Sequence, residues 1–192
     1  MMTALLVLLM GIIFPTADTA LAADMAVGEL GVRYHAGTAG KSFSGATGYF
    51  LYFQSQAGKG VLRPNVGAAI ELISGNASIG SATVGGTAYS GGIYPGLDIF
   101  PFRTEKFQPF VEVHGVITWN YASLSPLTVV SDQTSLGLAF GFQVGGGTDI
   151  RLGRGGERAI RIHTSYSNYT GKIAGQAGFQ YNAFALSLGL VF

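Results

Sequence analysis

The chain has 192 residues, a formal net charge of +1, 48% hydrophobic residues and only 11% charged ones. The near-zero net charge argues against nucleic acid as a partner, since no basic excess is present. Cysteine is absent, so the fold uses neither disulfides nor thiolate metal sites.

Residues 4–14 form an apolar run of signal-peptide length, and Ala20-Leu21-Ala22 before Ala23 reads as a small-residue cleavage site. The run is too short to span a bilayer. The expected organisation is an export signal over 1–22 and one domain over 23–192, although no Lys or Arg precedes the apolar run. No later run is long enough for a transmembrane helix, so hydrophobicity is spread by alternation. Thirty glycines and thirteen phenylalanines suit twisted strands better than helices, because Gly weakens a helix interior.

Period-two patterning predicts eight strands. The first runs from Val27 to Ala36, with Leu30, Val32 and Tyr34 on one face and Glu29, Gly31, Arg33 and His35 on the other. The second, Gly48 to Gln56, offers Tyr49, Leu51 and Phe53. The third, Leu62 to Ile73, sets Val66, Ala68, Ile70 and Leu72 against Asn65, Gly67, Ala69 and Glu71. The fourth, Tyr89 to Phe100, is the least regular, and Pro95, which removes a ladder donor, predicts a bulge there. The fifth, Phe110 to Tyr121, opposes Val111, Val113, Ile117, Trp119 and Tyr121 to Glu112, His114, Thr118 and Asn120. The sixth, Ser135 to Gly146, opposes Leu136, Leu138, Phe140, Phe142 and Val144 to Gly137, Ala139, Gly141, Gln143 and Gly145. The seventh, Arg158 to Asn168, opposes Ile160, Ile162, Thr164 and Tyr166 to Arg161, His163, Ser165 and Ser167. The eighth ends the chain and presents Phe184, Leu186, Leu188, Leu190 and Phe192 on one face.

Three connections are short: 57–61, 101–108 and 151–157. They hold or adjoin most of the basic residues. Four are expected to be longer loops, around 37–47, 75–88, 122–134 and 169–177, rich in Ser, Thr, Gly and Ala. Short turns at one end and long loops at the other are the layout of an eight-stranded outer-membrane barrel.

Alternation alone does not say which face is buried, because a soluble barrel alternates equally well. The content of the faces decides. Gly67, Ala69, Gly137, Ala139, Gly141 and Gly145 make a poor water-facing surface, but they suit a lumen only just wide enough for side chains to fill. The aliphatic and Phe face is then assigned to lipid, with Tyr34, Tyr49, Trp119, Tyr121 and Tyr166 as an aromatic girdle near the long loops. The lumen is assigned Glu29, Arg33, His35, Glu71, Asp98, Glu112, His114, Arg161 and His163. Such buried charges must be paired, so a plug of ion pairs is expected. A metal site from His114, His163 and Glu112 has no supporting local ligand spacing, and neither metal nor cofactor is expected.

The ending on Phe184, Leu186, Leu188, Leu190 and Phe192 resembles the C-terminal assembly signal of outer-membrane barrels. The whole pattern resembles the OmpA-type transmembrane domain and the OmpX and OmpW-like families. That resemblance implies an all-β fold, an eight-stranded antiparallel transmembrane β-barrel in the outer membrane of a Gram-negative bacterium. It also implies contact with outer-membrane lipid and lipopolysaccharide, folding by the barrel assembly machinery, a monomeric state, and a structural or adhesive role carried by four surface loops. A weaker resemblance, over His163-Thr164-Ser165 and Tyr166-Ser167-Asn168, is to the lipid A 3-O-deacylases, whose seventh strand carries a His-x-Ser-Asn motif. It implies His163, Ser165 and Ser167 as alternative catalytic residues. The chain departs from that motif in lacking Asn after Ser165 and in placing Gln180 near the expected acid. A third possibility is a narrow conduit for hydrophobic solutes, with Pro95, Gly91 and Gly92 marking a lateral opening.

Overall fold

Alternating segments of this kind can satisfy their backbone only by pairing with each other, and here the pairing closes on itself. The computed structural model describes residues 25–36, 45–79, 82–102, 104–124, 133–152, 158–173 and 176–192; the expected signal segment, 1–22, lies outside them. The strands are β1 (Met25–His35), β2 (Ala46–Gln56), β3 (Leu62–Ile79), β4 (Ala82–Ile99), β5 (Phe107–Leu124), β6 (Gln133–Arg151), β7 (Ala159–Ile173) and β8 (Gln176–Val191). Each pairs antiparallel with the next, and β8 returns to β1 to close a barrel. The seam runs from Val27↔Val191 to His35↔Ala183. Beyond it, Ala26 and Phe192 exchange backbone hydrogen bonds in both directions, at 3.2 and 2.9 Å.

The barrel is apolar outside and polar inside. Leu30 is 63% exposed and Leu188 60%, with Phe140 and Leu186 close behind, while Glu29, Arg33, Asp98, Glu112, Arg161 and His163 are buried. Water would oppose both halves of this arrangement, because charged side chains are almost never fully buried unless paired and an exposed apolar band this extensive needs an apolar neighbour. Hydrocarbon outside and paired charges inside satisfy both. The face assignments read from the alternation hold on all eight strands wherever side chains are described.

The lumen is filled by pairing large side chains with missing ones. A Cβ on Gly31 would stand 2.4 Å from Phe50 Cζ, one on Gly67 2.2 Å from the Tyr52 hydroxyl, and one on Gly96 1.8 Å from His114 Cδ2. Each glycine is the space its neighbour occupies.

Two expectations are corrected. Pro95 makes no bulge: the β3 register runs unbroken through Val66↔Pro95. On the β5 side the ladder omits Tyr94 and Pro95 but resumes at Gly96↔His114 in the same register as Ile93↔Ile117. Among the described residues the one register shift is between β7 and β8, at Gly171/Lys172. Gly91 and Gly92 do not mark an opening either, because the Trp119 indole covers Gly91, and Tyr94 and Thr118 crowd Gly92. The second correction concerns the long connections. Two of the four are largely strand, since β3 and β4 stay paired to Ile79↔Ala82 and β7 and β8 to Ile173↔Gln176; β5 and β6 pair to Leu124↔Gln133, and 125–132 lie outside the described residues. These ends alternate weakly in sequence, being rich in Gly, Ala, Ser and Thr, and so carry little hydrophobic signal.

β1 and β2 have 11 residues each, about the 9–11 needed to cross hydrocarbon at a barrel tilt. Leu30 is midway along β1 and pairs with Leu51 and Leu188. Leu30→Arg is therefore expected to destabilise the barrel by about 2–4 kcal/mol in urea unfolding from lipid vesicles, with Leu30→Phe close to wild type. An Arg variant as stable as wild type would show that this face does not meet lipid.

Candidate functional site in the barrel lumen

The polar lumen residues form two groups separated by aromatic side chains. Nearer the β1–β2 connection, Arg33 Nη1 donates to Glu71 Oε2 at 2.8 Å and His35 Nε2 donates to Glu71 Oε1 at 2.7 Å. The Arg33 guanidinium stacks over Phe50, 4.8 Å from its centroid. Gly48 makes room for Glu71, since a Cβ there would meet Oε1 at 1.9 Å. Phe50, Tyr52, Tyr94, Val116 and Tyr169 pack in the next layer, with Tyr52 and Tyr94 edge to face at 5.6 Å.

The second group lies toward the short turns. Arg161 grips Asp149 bidentately, Nε to Oδ1 at 2.7 Å and Nη2 to Oδ2 at 2.9 Å, and its guanidinium covers Phe110 at 4.1 Å. Asp98 accepts from Gln54 Nε2 at 3.0 Å, from Gln56, and from Asn65 Nδ2 at 2.7 Å. His163 stands between two carboxylates, Nδ1 at 3.0 Å from Glu29 Oε2 and Nε2 at 3.0 Å from Glu112 Oε1. Gln143 donates to Glu112 Oε1 at 2.8 Å and accepts from Ser167 Oγ at 2.9 Å. Arg63 stacks on Phe100 at 4.0 Å and reaches Gln56 Oε1 at 3.3 Å.

All nine residues assigned to the lumen are buried there, and the barrel brings them together as Arg33, His35 and Glu71 in one group and the other six in the second. Asn65, placed on the inward face by its parity, and Gln54, Gln56, Arg63, Asp149 and Ser187, not singled out in the sequence, complete the second group. Asp149 and Arg63 were legible as further charges at inward parity, whereas the amides carry no signal that separates them from surface Gln and Asn.

The catalytic alternative is not assembled. Ser165 and Ser167 are buried, and Ser167 is bound to Gln143. Ser187, on β8, comes nearer: its Oγ donates to Glu29 Oε2 and lies 3.5 Å from His163 Nδ1. In a hydrolytic triad the serine donates to the histidine nitrogen that takes its proton; here Ser187 Oγ donates to Glu29 instead, both His163 nitrogens face carboxylates, and the group is buried. Asn168 Nδ2 donates to Asn182 Oδ1 at 2.7 Å, and Gln180 pairs with Thr170 across the strands, its side chain outside the described residues.

On the outer face, Tyr34 and Tyr49 are exposed and Trp119 and Tyr166 partly so; the Tyr121 side chain lies outside the described residues. Phe184 pairs with both Tyr34 and Tyr166, and its ring is 5.1 Å from that of Tyr166. Tyr89, also exposed, pairs with Leu72 and Tyr121, so this band is wider than the five residues singled out in the sequence.

No protein-family model and no curated protein matches the sequence. The fold does have counterparts. Neisserial surface protein A superposes with a TM-score of 0.57 at 13% identity over 88% of this chain and 96% of its own. This chain has the fold of the small outer-membrane β-barrels. Ail, the attachment invasion locus protein of Yersinia pestis, aligns at 12% identity over 88% of this chain and 97% of its own, with a TM-score of 0.49. The N-terminal barrel domain of Pseudomonas aeruginosa OprF aligns at 10% identity over 88% and 98%, with a TM-score of 0.38.

Removing one partner of a buried ion pair strands the other charge. Glu71→Ala is thus expected to cost about 3–5 kcal/mol, whereas Arg33→Met combined with Glu71→Leu should cost less than that single change. Urea unfolding from vesicles checks both. A double variant weaker than Glu71→Ala would show that the pair contributes more than its own desolvation removes.

Proposed function

We propose that the chain is a monomeric outer-membrane barrel of a Gram-negative bacterium whose long hairpins are its interaction surface and whose lumen is a plug. The observation that carries this reading is the mismatch in strand length. β3, β4 and β5 have 18 residues and β6 has 19, against 11 in β1 and β2, so two hairpins extend well past the shortest crossing. The pairing of β2 with β3 stops at Thr47↔Ser74, and Gly75 to Ile79 continue with β4 alone.

These hairpins carry almost no charge. Residues 74–88 have none, 36–45 only Lys41, 120–136 only Asp132 and 168–182 only Lys172. Among the described residues, Lys59, Lys106, Arg151 and Arg158 belong to the opposite end. A partner of the hairpins would be held by hydrogen bonds and apolar contact, so the attachment should tolerate salt. Outer-membrane lipid and lipopolysaccharide would surround the apolar band, and the assembly machinery would act on the final strand.

The reading leaves no enzyme. His163, Ser165 and Ser167 face a packed interior, and a lipid outside the wall cannot reach a nucleophile there. Nor does the lumen favour a conduit, since Phe50, Tyr52, Tyr94 and Tyr169 fill its middle layer.

An epitope inserted between Gly80 and Ser81 should be labelled on intact cells. Replacing residues 122–134 by a tight turn should abolish attachment of expressing cells to a surface while leaving the barrel folded, and wild-type attachment should change little between about 0.1 and 0.5 M NaCl. Labelling only after permeabilisation, or attachment indifferent to the hairpin, would contradict the proposal. Lipid A from expressing cells should keep its mass; loss of an acyl chain that His163→Ala restores would establish the hydrolase instead.

A further inference from the structure

Asp98, Glu112 and His114 are the part of the lumen that ion pairing explains least. Asp98 and Glu112 are direct partners across β4 and β5, and His114 is opposite Gly96 two positions away. All three are at most 1% exposed. One ligand atom from each lies within 4.8 Å of the others. His114 Nε2 is 3.5 Å from Asp98 Oδ1 and Nδ1 is 3.7 Å from Glu112 Oε1, too long for directed hydrogen bonds. Both ring nitrogens of His114 and Glu112 Oε2 have no hydrogen-bond partner, and water does not reach them. Buried polar atoms are nearly always satisfied, so a fully enclosed imidazole with two idle nitrogens needs an explanation.

The surroundings supply one. Asp98 is oriented by Gln54, Gln56 and Asn65, and Glu112 Oε1 by Gln143 and His163. Outer contacts of this kind fix ligands in metal sites, and they leave Glu112 Oε2, a lone pair of Asp98 Oδ1 and a His114 nitrogen available. Charge points the same way. Among the described residues, Glu29, Asp98, Glu112 and Asp149 are buried in this half with two buried guanidinium groups, Arg63 and Arg161; Arg151 remains part-buried on Gln108. Positive charge is short unless the histidines or a cation provide it.

We propose that Asp98, Glu112 and His114 bind a divalent first-row transition ion, Zn²⁺ in the first place. One imidazole and two carboxylates suit Zn²⁺, with water as a fourth ligand, whereas Ca²⁺ and Mg²⁺ favour all-oxygen sets. Bonds of about 2.0–2.2 Å draw the three side chains together and use the idle nitrogen. Local spacing gave no sign of such a site because the ligands lie on two strands, and His163, a candidate in the sequence, is held by Glu29 and Glu112 instead. The ion also has a structural task. It ties β4 to β5 beside Tyr94 and Pro95, where the ladder between these strands lapses.

The test is to refold the full chain in detergent from chelator-treated material with Zn²⁺, desalt it and measure bound metal, then repeat with Co²⁺. One equivalent of Zn²⁺ per folded chain is expected, with a raised thermal midpoint. The Co²⁺ form should show paramagnetically shifted imidazole proton resonances, a readout that needs only the wild type. His114→Gln and Asp98→Asn, with folding checked by the heat-modifiable gel shift, should lower affinity at least tenfold, and His35→Ala should not. Wild type that folds without taking up Zn²⁺, a Co²⁺ form with no shifted imidazole resonance, or uptake unchanged in both variants would overturn the proposal.

Discussion

Everything in this molecule depends on the closure of β8 onto β1. Hydrocarbon offers no hydrogen bonds, so an open sheet edge inside a membrane would leave a row of unsatisfied backbone groups, each costing several kcal/mol. The Val27↔Val191 to His35↔Ala183 pairs remove that edge, and Ala26 and Phe192 extend the seam by two more backbone hydrogen bonds. Once the ring is closed, strand parity divides every side chain between two solvents that have nothing in common. A slip of β8 by one residue would send Leu186 and Leu188 inward and Ser187 out to lipid, so the wall holds its register on both faces at once.

Closure also creates the problem that the lumen solves. Eight strands enclose too little space for bulk water and too much for backbone alone, and the chain fills it with charge rather than with aliphatic packing. Aromatic rings cap the guanidinium groups, Phe50 under Arg33, Phe100 under Arg63 and Phe110 under Arg161, and glycines give way where side chains are largest. A buried ion pair adds little net stability over an apolar one. Its worth here is positional, because an inward charge cannot turn outward into lipid without losing its partner. The Arg33–Glu71 contact joins β1 to β3 and Arg161–Glu29 joins β7 to β1, across rather than along the ladder.

Strand number, phase and the inside-out arrangement were legible in the sequence because each strand states its parity locally: Val111, Val113 and Ile117 against Glu112, His114 and Thr118 needs no knowledge of neighbours. What required the structure was relational. Asp98 meets Glu112 and His114 only through the β4–β5 register, which no local pattern encodes. Pro95 signalled a bulge because it lacks a donor, yet the strand keeps its count by omitting pairs on the β5 side alone. The ends of β3 to β8 were read as loops because residues such as Gly75, Asn76, Ala77 and Ser78 carry no large apolar side chains to alternate, although backbone pairing holds them in register. Ser187 escaped notice as an ordinary small residue of the final strand, and only the seam brings it to Glu29 and His163.

The central claim, that the Leu and Phe face meets hydrocarbon, is tested most directly by depth-dependent fluorescence quenching. Trp119 is the single tryptophan of the chain, so Trp119→Phe with Leu188→Trp gives one reporter on the outer face, in register with Leu30. In vesicles of lipids brominated at successive acyl positions, that reporter is predicted to be quenched most by the deepest bromines and to resist aqueous acrylamide. Strong quenching by acrylamide, with no dependence on bromine depth, would contradict the account.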